Sequence, residues 1–363
     1  MEDDDEGLVP RLDINPPLFN SANPWATTLE HLRSLYRCPS TGAVTTRTAL
    51  LGQGFPHDEG VHRFAFFDTG THRVVGREDW ERGDGVGDAS LNTLGYSPIP
   101  LDVYLGFIRQ IDQEGQGNRE MGEESERKKP FIVSVTGTPD EVAECYRLIS
   151  RAAPELAMVG IAMEVNLSCP NIPGKPPPAY EGQALRAYVR RVADVVDETG
   201  VRIPWGLKTP PYTHAGQFEM FVQTLRDCAV LRGGNEGGGR MVCPVSFVTA
   251  TNTLGSCLLL DGGESEQKLP SPALPGLGIG GVAGAPLHPL ALGNVATLRR
   301  MLDAAPETRH VALLGIGGVA DAAGYRRMRS VGAAAVGVGT ALGIKGLGVF
   351  GEIERGLGGV WEV

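Results

Sequence analysis

Residues 310–342 have the sequence HVALLGIGGVADAAGYRRMRSVGAAAVGVGTAL, in which two apolar runs flank a segment of helical spacing. The first run has the length of a strand and closes on the glycine pair Gly317 and Gly318. The helical segment covers 321–332, and the second run follows it directly. Because strands joined through a helix run in the same direction, this order predicts a βαβ unit of a parallel sheet.

The same alternation continues upstream through most of the chain. After FNSANP, interpreted as a polar loop, a helix is predicted, and further helical segments separate four strand-like runs, PFIVSV, MVGIAMEVN, IPWGLKT and VSFVTA. Two more runs, AVTTRTAL at 43–50 and ASLN at 89–92, bring the predicted strands to about eight. Eight such units that close on themselves predict a (β/α)8 TIM barrel, with a doubly wound open sheet as the alternative.

We predict a single barrel domain over residues 19–363, preceded by an acidic N-terminal tail over 1–18. The tail has no apolar core, so it resembles neither a secretory signal nor a transit peptide. Four segments without the alternating pattern are predicted to be long loop insertions at the mouth of the barrel, near residues 52–88, 112–129, 229–243 and 261–277. The second of them is charged and poor in apolar residues, which is typical of a solvated loop.

The composition limits the classes of partner. The 363 residues carry a formal net charge of -10 and have a pI near 5.3, which argues against a surface for nucleic acid or anionic membranes. No stretch approaches the roughly 18 consecutive apolar residues of a membrane span. The six cysteines show no CxxC spacing and the seven histidines no HExxH motif. We therefore predict a cytoplasmic protein with reduced thiols and no metal site.

Polar residues follow several predicted strands at the point where each strand ends. Arg47, Asn92, Lys208 and Asn252 lie at such positions, and Asn166 begins the loop NLSCPNIPGKPPPAY. Singly, an asparagine there is usually a turn residue and a lysine usually extends to solvent. The carboxyl ends of all barrel strands meet on one face, however, so together these residues predict a binding site.

The loop over residues 166–180 contains one thiol, Cys169, between the amides of Asn166 and Asn171. A lone cysteine is most often a small buried hydrophobe, which is the alternative interpretation. The prolines and glycines of the loop restrict the backbone around the thiol, as is typical of an active-site loop.

Glycine clusters occupy three places in the last quarter of the chain, GIGG at 278–281, GIGG at 315–318 and GVGT at 337–340. Glycine allows a ligand to approach the backbone closely, and helix N-termini that follow attract anions. In TIM barrels the loops after strands 7 and 8 often bind phosphate. None of the clusters has the GxGxxG spacing of a dinucleotide site, so the pattern predicts a simpler phosphate-bearing ligand.

These motifs resemble the dihydroorotate dehydrogenase family, and in particular its soluble class 1A branch. The resemblance covers about Asn20 to Leu357 and rests on motifs in a fixed order, namely NLSCPNIPGKPPPAY, GLKTPPY, ATNTLG, GIGG, LGIGGV and GVGTAL. It implies a (β/α)8 barrel with FMN at its mouth. The implied reaction is the oxidation of (S)-dihydroorotate to orotate in de novo pyrimidine biosynthesis, with fumarate as electron acceptor and succinate as its product, in a homodimer.

The resemblance also implies roles for single residues. Cys169 matches the general base that removes the C5 proton while the C6 hydride passes to flavin N5, and Arg47 matches a second catalytic position. Lys208 matches a cation near flavin N1 and O2, and no metal is implied. The matched substrate-binding residues are Asn92, Leu94, Gly95, Tyr96, Asn166, Asn171, Asn252 and Thr253. The matched FMN-binding residues are Ser21, Ala22, Thr46, Arg47, Asn92, Asn166, Lys208, Thr251, Gly280, Gly281, Gly317, Gly318, Gly339 and Thr340.

Two residues depart from the family pattern. Arg47 stands where the family usually has lysine, and a planar guanidinium does not replace a compact ammonium conservatively. Asn23 stands where the family tends to have a glycine under the flavin. These departures leave open an FMN-binding paralogue that acts on another dihydropyrimidine or is nearly inactive. A tRNA dihydrouridine synthase also combines an FMN barrel with a cysteine, but it would require a basic RNA-binding surface.

Overall fold

The structure is a computed structural model that describes residues 9–76, 87–120, 128–168, 177–233, 239–261 and 269–362. The helices of these residues are α1 (Leu29–Arg37), α2 (Leu101–Glu120), α3 (Pro139–Ala152), α4 (Gly182–Thr199), α5 (Ala215–Asp227), α6 (His288–Asp303), α7 (Ala322–Ser330), α8 (Thr340–Lys345) and α9 (Gly348–Leu357). The strands are β1 (Leu18–Asn20), β2 (Ala43–Thr45), β3 (Phe64–Phe67), β4 (Val74–Val75), β5 (Ala89–Asn92), β6 (Pro130–Val135), β7 (Gly160–Asn166), β8 (Trp205–Thr209), β9 (Val230–Arg232), β10 (Arg240–Val242), β11 (Phe247–Ala250), β12 (Leu254–Leu258), β13 (Leu260–Asp261), β14 (Ser271–Pro272), β15 (Ile279–Gly284), β16 (Ala312–Ile316) and β17 (Ala335–Val338).

Eight parallel strands form a closed barrel. Around the barrel the order is β1, β2, β6, β7, β8, β11, β16 and β17, and β17 pairs with β1 to close it. The residues on the outward faces of these strands form one large core with the surrounding helices. The predicted (β/α)8 TIM barrel is therefore confirmed. The alternative of an open sheet is wrong, because such a sheet would leave its two outer strands unpaired.

Two elements differ from the prediction. The first barrel strand is β1, which begins just before the segment predicted to be a polar loop, and all three of its residues are buried. The run ending at Asn92 is not a barrel strand. It is β5, which pairs with β3 and β15 in a five-stranded antiparallel sheet of order β12, β15, β5, β3, β4. Asn92 therefore approaches the barrel mouth from this second sheet.

The side chains inside the barrel change from apolar to mostly polar along its axis. At the amino ends of the strands it is filled by apolar side chains, including Ile14, Phe19, Ile132, Phe247 and Leu314. Successive residues of a strand alternate between its faces, so the next inward positions lie two residues further along each strand. On five neighbouring strands, β2, β6, β7, β8 and β11, these positions carry buried polar side chains, namely Thr45, Ser134, Glu164, Lys208 and Thr249.

Each predicted insertion contains some regular structure among its described residues. Antiparallel hairpins occur in three of the four, formed by β3 with β4, β9 with β10, and β13 with β14. In the remaining insertion, α2 continues to Glu120, and residues 121–127 lie outside the described ranges. Val9 and Ile14, within the predicted 1–18 tail, are buried, and Ile14 packs in the apolar cluster inside the barrel. No helix in the described ranges is long and apolar enough to cross a bilayer.

Candidate active site

A cavity of about 1030 Å³, including the part open to solvent, lies at the carboxyl ends of the barrel strands. Its walls come from the barrel loops and from the five-stranded sheet. The predicted site residues that line it are Ser21, Ala22, Arg47, Asn92, Leu94, Gly95, Tyr96, Asn166, Lys208, Thr251, Asn252, Thr253, Gly317, Gly318, Gly339 and Thr340. The fold thus brings together residues from Ser21 to Thr340, which are far apart in the sequence, in one cavity.

Three predicted site residues lie outside the cavity lining. Thr46 Oγ1 accepts a hydrogen bond from the backbone N–H of Ser134. Gly280 and Gly281 lie on β15 and not in a loop, and a Cβ on Gly280 would lie only 2.4 Å from the carbonyl oxygen of Asn92. Strand packing therefore accounts for this glycine, and Ala283 and Gly284 line the cavity further along the same strand.

Cys169 and Asn171 lie outside the described residues, so the roles predicted for them stay predictions. The chain that leads to them is well defined. β7 ends at Asn166, and Ser168 is buried directly before Cys169. The loop that carries the predicted base therefore begins at the cavity wall.

Lys208 is a buried cation without a partner among the described residues. Only 3% of its surface is exposed, and it lines the cavity from β8. None of the hydrogen bonds or ion pairs of the described ranges includes its ammonium group. An unpaired buried charge costs several kcal/mol (order of magnitude), so such a group is retained where a ligand or another charge compensates it.

Thr251 repeats this pattern with a neutral group. Its side chain is 1% exposed and lines the cavity, and its Oγ1 has no hydrogen-bond partner in the described part of the chain. Buried hydroxyl groups are normally hydrogen-bonded, and an exception calls for a specific explanation. Beside Lys208, the natural explanation is a polar ligand in the cavity.

A chain of hydrogen bonds fixes the amide of Asn166. Its Nδ2 donates to Thr48 Oγ1 at 3.0 Å, the hydroxyls of Thr48 and Ser134 lie 3.0 Å apart, and Ser134 Oγ donates to Glu164 Oε1 at 2.9 Å. Because the carboxylate accepts, Ser134 must in turn accept from Thr48. Asn166 Oδ1 accepts from the backbone N–H and the hydroxyl of Ser168. The amide orientation is thus determined, with one N–H left over for a ligand.

The opposite wall of the cavity is made of backbone. Gly317 and Gly318 follow β16 with φ of 145° and 66°, a region that side chains disfavour. A Cβ on Gly318 would lie 2.5 Å from the carbonyl oxygen of Gly284. Behind this turn, His288 Nδ1 donates to Gly317 O at 2.7 Å, and its Nε2 accepts from Arg327 Nε at 3.0 Å. This wall offers a ligand its backbone without side chains in the way.

Arg47 extends from the end of β2 into the cavity. Its Nη2 donates to the carbonyl oxygen of Gly95 at 3.2 Å and lies 3.0 Å from His57 Nε2. Burial lowers the pKa of Arg47 from its usual value. His57 was not predicted from the sequence, because it lies in the 52–88 insertion, which has no periodic pattern.

Asn23, the second departure from the family pattern, lines the cavity, and its side chain is held by hydrogen bonds within its own segment. Its Nδ2 donates to Ser21 O at 2.7 Å, and its Oδ1 accepts from Trp25 N at 2.9 Å. The side chain therefore caps a short 3-10 helix over Pro24–Ala26.

Sequence reasoning did not predict several other lining residues. They are Pro24, Trp25, Thr48, Phe64, Ser90, Ala283, Gly284, Leu287 and Ile316. Thr48 could have been found, because it directly follows Arg47 in the motif TTRT. The described residues contain no group of three or more histidine, cysteine or acidic side chains that could hold a metal ion.

Comparisons with known proteins agree with this picture. The family model "Dihydroorotate dehydrogenase" matches residues 84–360. The chain is 29% identical over 341 residues to "Dihydroorotate dehydrogenase (fumarate)" of Trypanosoma cruzi, covering 93% of this chain and 87% of that enzyme. It is 26% identical over 343 residues to "Dihydroorotate dehydrogenase A (fumarate)" of Lactococcus lactis subsp. cremoris, covering 94% and 89%.

The fold has a match among solved structures as well. The crystal structure of a DHODH from Eimeria tenella in complex with ferulenol aligns with a TM-score of 0.63 and 17% identity, covering 94% of this chain and 80% of that one. At this identity the likeness concerns the fold. The family model matches most of the chain, which confirms the family that the motifs indicated and its class of FMN-dependent oxidoreductases. This chain belongs to the dihydroorotate dehydrogenase family.

Proposed function

We propose that this protein oxidises (S)-dihydroorotate to orotate, with FMN as cofactor and fumarate as electron acceptor. The observation that carries the proposal is the unpaired ammonium of Lys208, 3% exposed, on the cavity wall. A cation at this place stabilises negative charge that develops on a bound ring during the reaction. The names of the relatives from Trypanosoma cruzi and Lactococcus lactis support the same substrate and acceptor.

The cavity fits FMN in three respects. Lys208 and the Thr251 hydroxyl offer buried donors that the described residues leave unused. The wall at Gly317 and Gly318 suits the phosphate and ribityl chain, because these residues present backbone to the cavity without side chains. Gly339 lines the same cavity and likewise has no side chain that would obstruct a ligand. When bound, FMN supplies the acceptor for the C6 hydride at N5.

The chain's own residues bind the substrate and move its proton. Cys169 accepts the C5 proton of dihydroorotate, and a thiol with a usual pKa of about 8.5 is a plausible base near neutrality. Asn166 presents its remaining N–H from a fixed orientation, and Asn92 and Asn252 add amides that offer donors and acceptors in one plane. Arg47 supplies positive charge for the carboxylate of the substrate.

The second candidate is an FMN-dependent paralogue that acts on another dihydropyrimidine. It is favoured by one observation, the contact of Arg47 with His57 and Gly95, which an ammonium group would not reproduce in the same plane. Turnover of dihydroorotate with fumarate at rates usual for an enzyme would exclude it.

We propose further that the protein works as a homodimer in the cytoplasm. Leu258 and Ile279, paired across β12 and β15, are each 51% exposed, and the nearby Leu269 and Leu277 are 87% and 81% exposed. Apolar surface of this kind is typical of a contact with another protein, here a second copy. The cysteines of the described ranges are free thiols, in keeping with a reducing compartment. Light scattering that gives the monomer mass would contradict the dimer.

An anaerobic titration tests the reaction. We expect dihydroorotate to bleach the yellow protein and fumarate to restore the colour, with NAD and a quinone compared as alternative acceptors. A purified protein that is colourless and takes up no FMN would rule the proposal out.

The role of Cys169 is tested by Cys169→Ala. We expect this variant to stay yellow but to lose most of its oxidation of dihydroorotate, since positioned proton transfer contributes roughly 10²- to 10⁴-fold. The matched control is Cys228→Ala, because Cys228 is buried outside the cavity lining. Near-normal turnover of Cys169→Ala would mean that the base is elsewhere.

A further inference from the structure

His57 contacts Arg47, the cation of the cavity lining that stands where the family usually has lysine. Its Nε2 lies 3.0 Å from Arg47 Nη2, and its Nδ1 lies 3.1 Å from the carbonyl oxygen of Phe55. A guanidinium only donates and a carbonyl only accepts. The imidazole must therefore be neutral, with its proton on Nδ1 and with Nε2 accepting from Arg47. Burial and the charge of Arg47 lower the pKa of His57, which favours the same neutral form.

The two hydrogens of Arg47 Nη2 are both used. One goes to His57 Nε2, and the other goes to Gly95 O at 3.2 Å. A guanidinium binds a carboxylate through two parallel N–H groups along either of two edges, Nε with Nη2 or Nη1 with Nη2. Since Nη2 belongs to both edges, His57 and Gly95 block both. No described residue accepts a hydrogen bond from Nε or Nη1.

The segment that carries His57 is anchored beside Gly95. Phe55 N donates to Ser97 O at 2.7 Å, and the Phe55 ring makes edge contacts with Tyr96 and His57, with centroids 5.7 and 5.4 Å apart. A Cβ on Gly95 would lie 2.0 Å from the Phe55 ring, so glycine is required at this position. The two acceptors for Nη2 are thus held in place by one packed unit.

We propose that His57 is a specificity-determining residue that restricts Arg47 to contacts through single nitrogens. Arg47 then meets a ligand as a compact cation, much as the usual lysine would, and does not form a two-point pair with any carboxylate that enters. This inference rests on the proposed function, since it concerns the same cavity and a carboxylated pyrimidine. It explains how an arginine can occupy a lysine position there.

Calorimetric titrations of the FMN-loaded protein with orotate, fumarate and uracil test the proposal without requiring turnover. In His57→Phe we expect fumarate and orotate to bind about tenfold more tightly, roughly the gain of one charge-assisted hydrogen bond, while the affinity for uracil, which has no carboxylate, is unchanged. In His57→Gln the amide oxygen can accept from Nη2, so we expect affinities of the wild type. If the role of His57 were purely structural, His57→Phe would instead lower the affinity for all three ligands.

A second background separates the effect of His57 on Arg47 from any other effect. In Arg47→Lys there is no guanidinium edge that could pair with a carboxylate. Adding His57→Phe in this background should therefore leave the affinities of fumarate and orotate unchanged. Tighter binding that persists in this background, or His57→Phe with unchanged or weaker carboxylate binding, would overturn the proposal. The proposed function would be refuted if the protein failed to oxidise dihydroorotate. The test of His57 would still be valid in that case, because it measures ligand affinity and not turnover.

Discussion

Two buried or partly buried lysines lie at opposite ends of the barrel. Lys129 directly precedes β6 at the amino ends of the strands, and Lys208 lies on β8 near the carboxyl ends. The ammonium of Lys129 donates to Tyr36 O and Cys38 O at 2.7 Å and to Thr41 Oγ1 at 3.0 Å. Lys208 is more deeply buried and has no partner among the described residues. The first cation is satisfied by the protein itself.

If the proposed function holds, this difference separates a structural lysine from a functional one. All three hydrogens of Lys129 meet acceptors, so the protein has replaced the water that this ammonium loses on folding. Lys208 has no such replacement among the described residues, and the cavity that it lines leaves room for a ligand to supply one. Under the proposed function, a lysine therefore supports the fold at one end of the barrel and meets the ligand at the other.

The largest effect is expected for Lys208→Met. Oxidation of dihydroorotate should fall by about 100-fold or more, because a preorganised charge at the reacting ring is removed. The FMN-free protein should nevertheless melt at a higher temperature, since methionine fills the same space without an unpaired charge. Steady-state kinetics and thermal melts of the FMN-free and FMN-loaded protein measure the two changes. If FMN-free Lys208→Met melted at a lower temperature than the wild type, Lys208 would have a structural role as well.

Lys129→Met is the matched substitution at the other end of the barrel, and we expect the reverse pattern. Three carbonyl or hydroxyl acceptors lose their donor, so the free energy of unfolding should fall by about 1–3 kcal/mol. FMN content and turnover should stay at the values of the wild type, because Lys129 does not line the cavity. A loss of turnover in folded Lys129→Met would remove the distinction between the two lysines.

The parts of this fold that could be predicted from the sequence are those with a local pattern. β16, α7 and β17 follow one another with clear apolar periods, and the parallel barrel follows from that order. β1 is only three residues long, too short to show a period. β5 has the composition of a barrel strand, and its place in the second sheet depends on pairing with β3 and β15, which are distant in the sequence.

The site residues that could be predicted are likewise those with a local sequence pattern. Lys208 was predictable because it ends an apolar strand, where a charged residue is unusual. The contact of His57 with Arg47 was not, because it depends on how an insertion without a period packs over Gly95. Glu164 was also missed, since a single acidic residue within a buried strand gives no sign in the sequence that hydroxyl groups connect it to Asn166.

The smallest expected effect is a pH dependence of folding stability that comes from Lys129. Burial lowers the pKa of this lysine from 10.5 to about 8, so between these values the unfolded chain binds more protons than the folded one. The contribution of Lys129 to the free energy of unfolding therefore rises with pH across that window. We expect the melting temperature of the wild type to increase relative to that of Lys129→Met over this range. If the difference between the two melting temperatures stayed constant or shrank, the three acceptors would keep the ammonium charged. Their hydrogen bonds would then outweigh the effect of burial on Lys129.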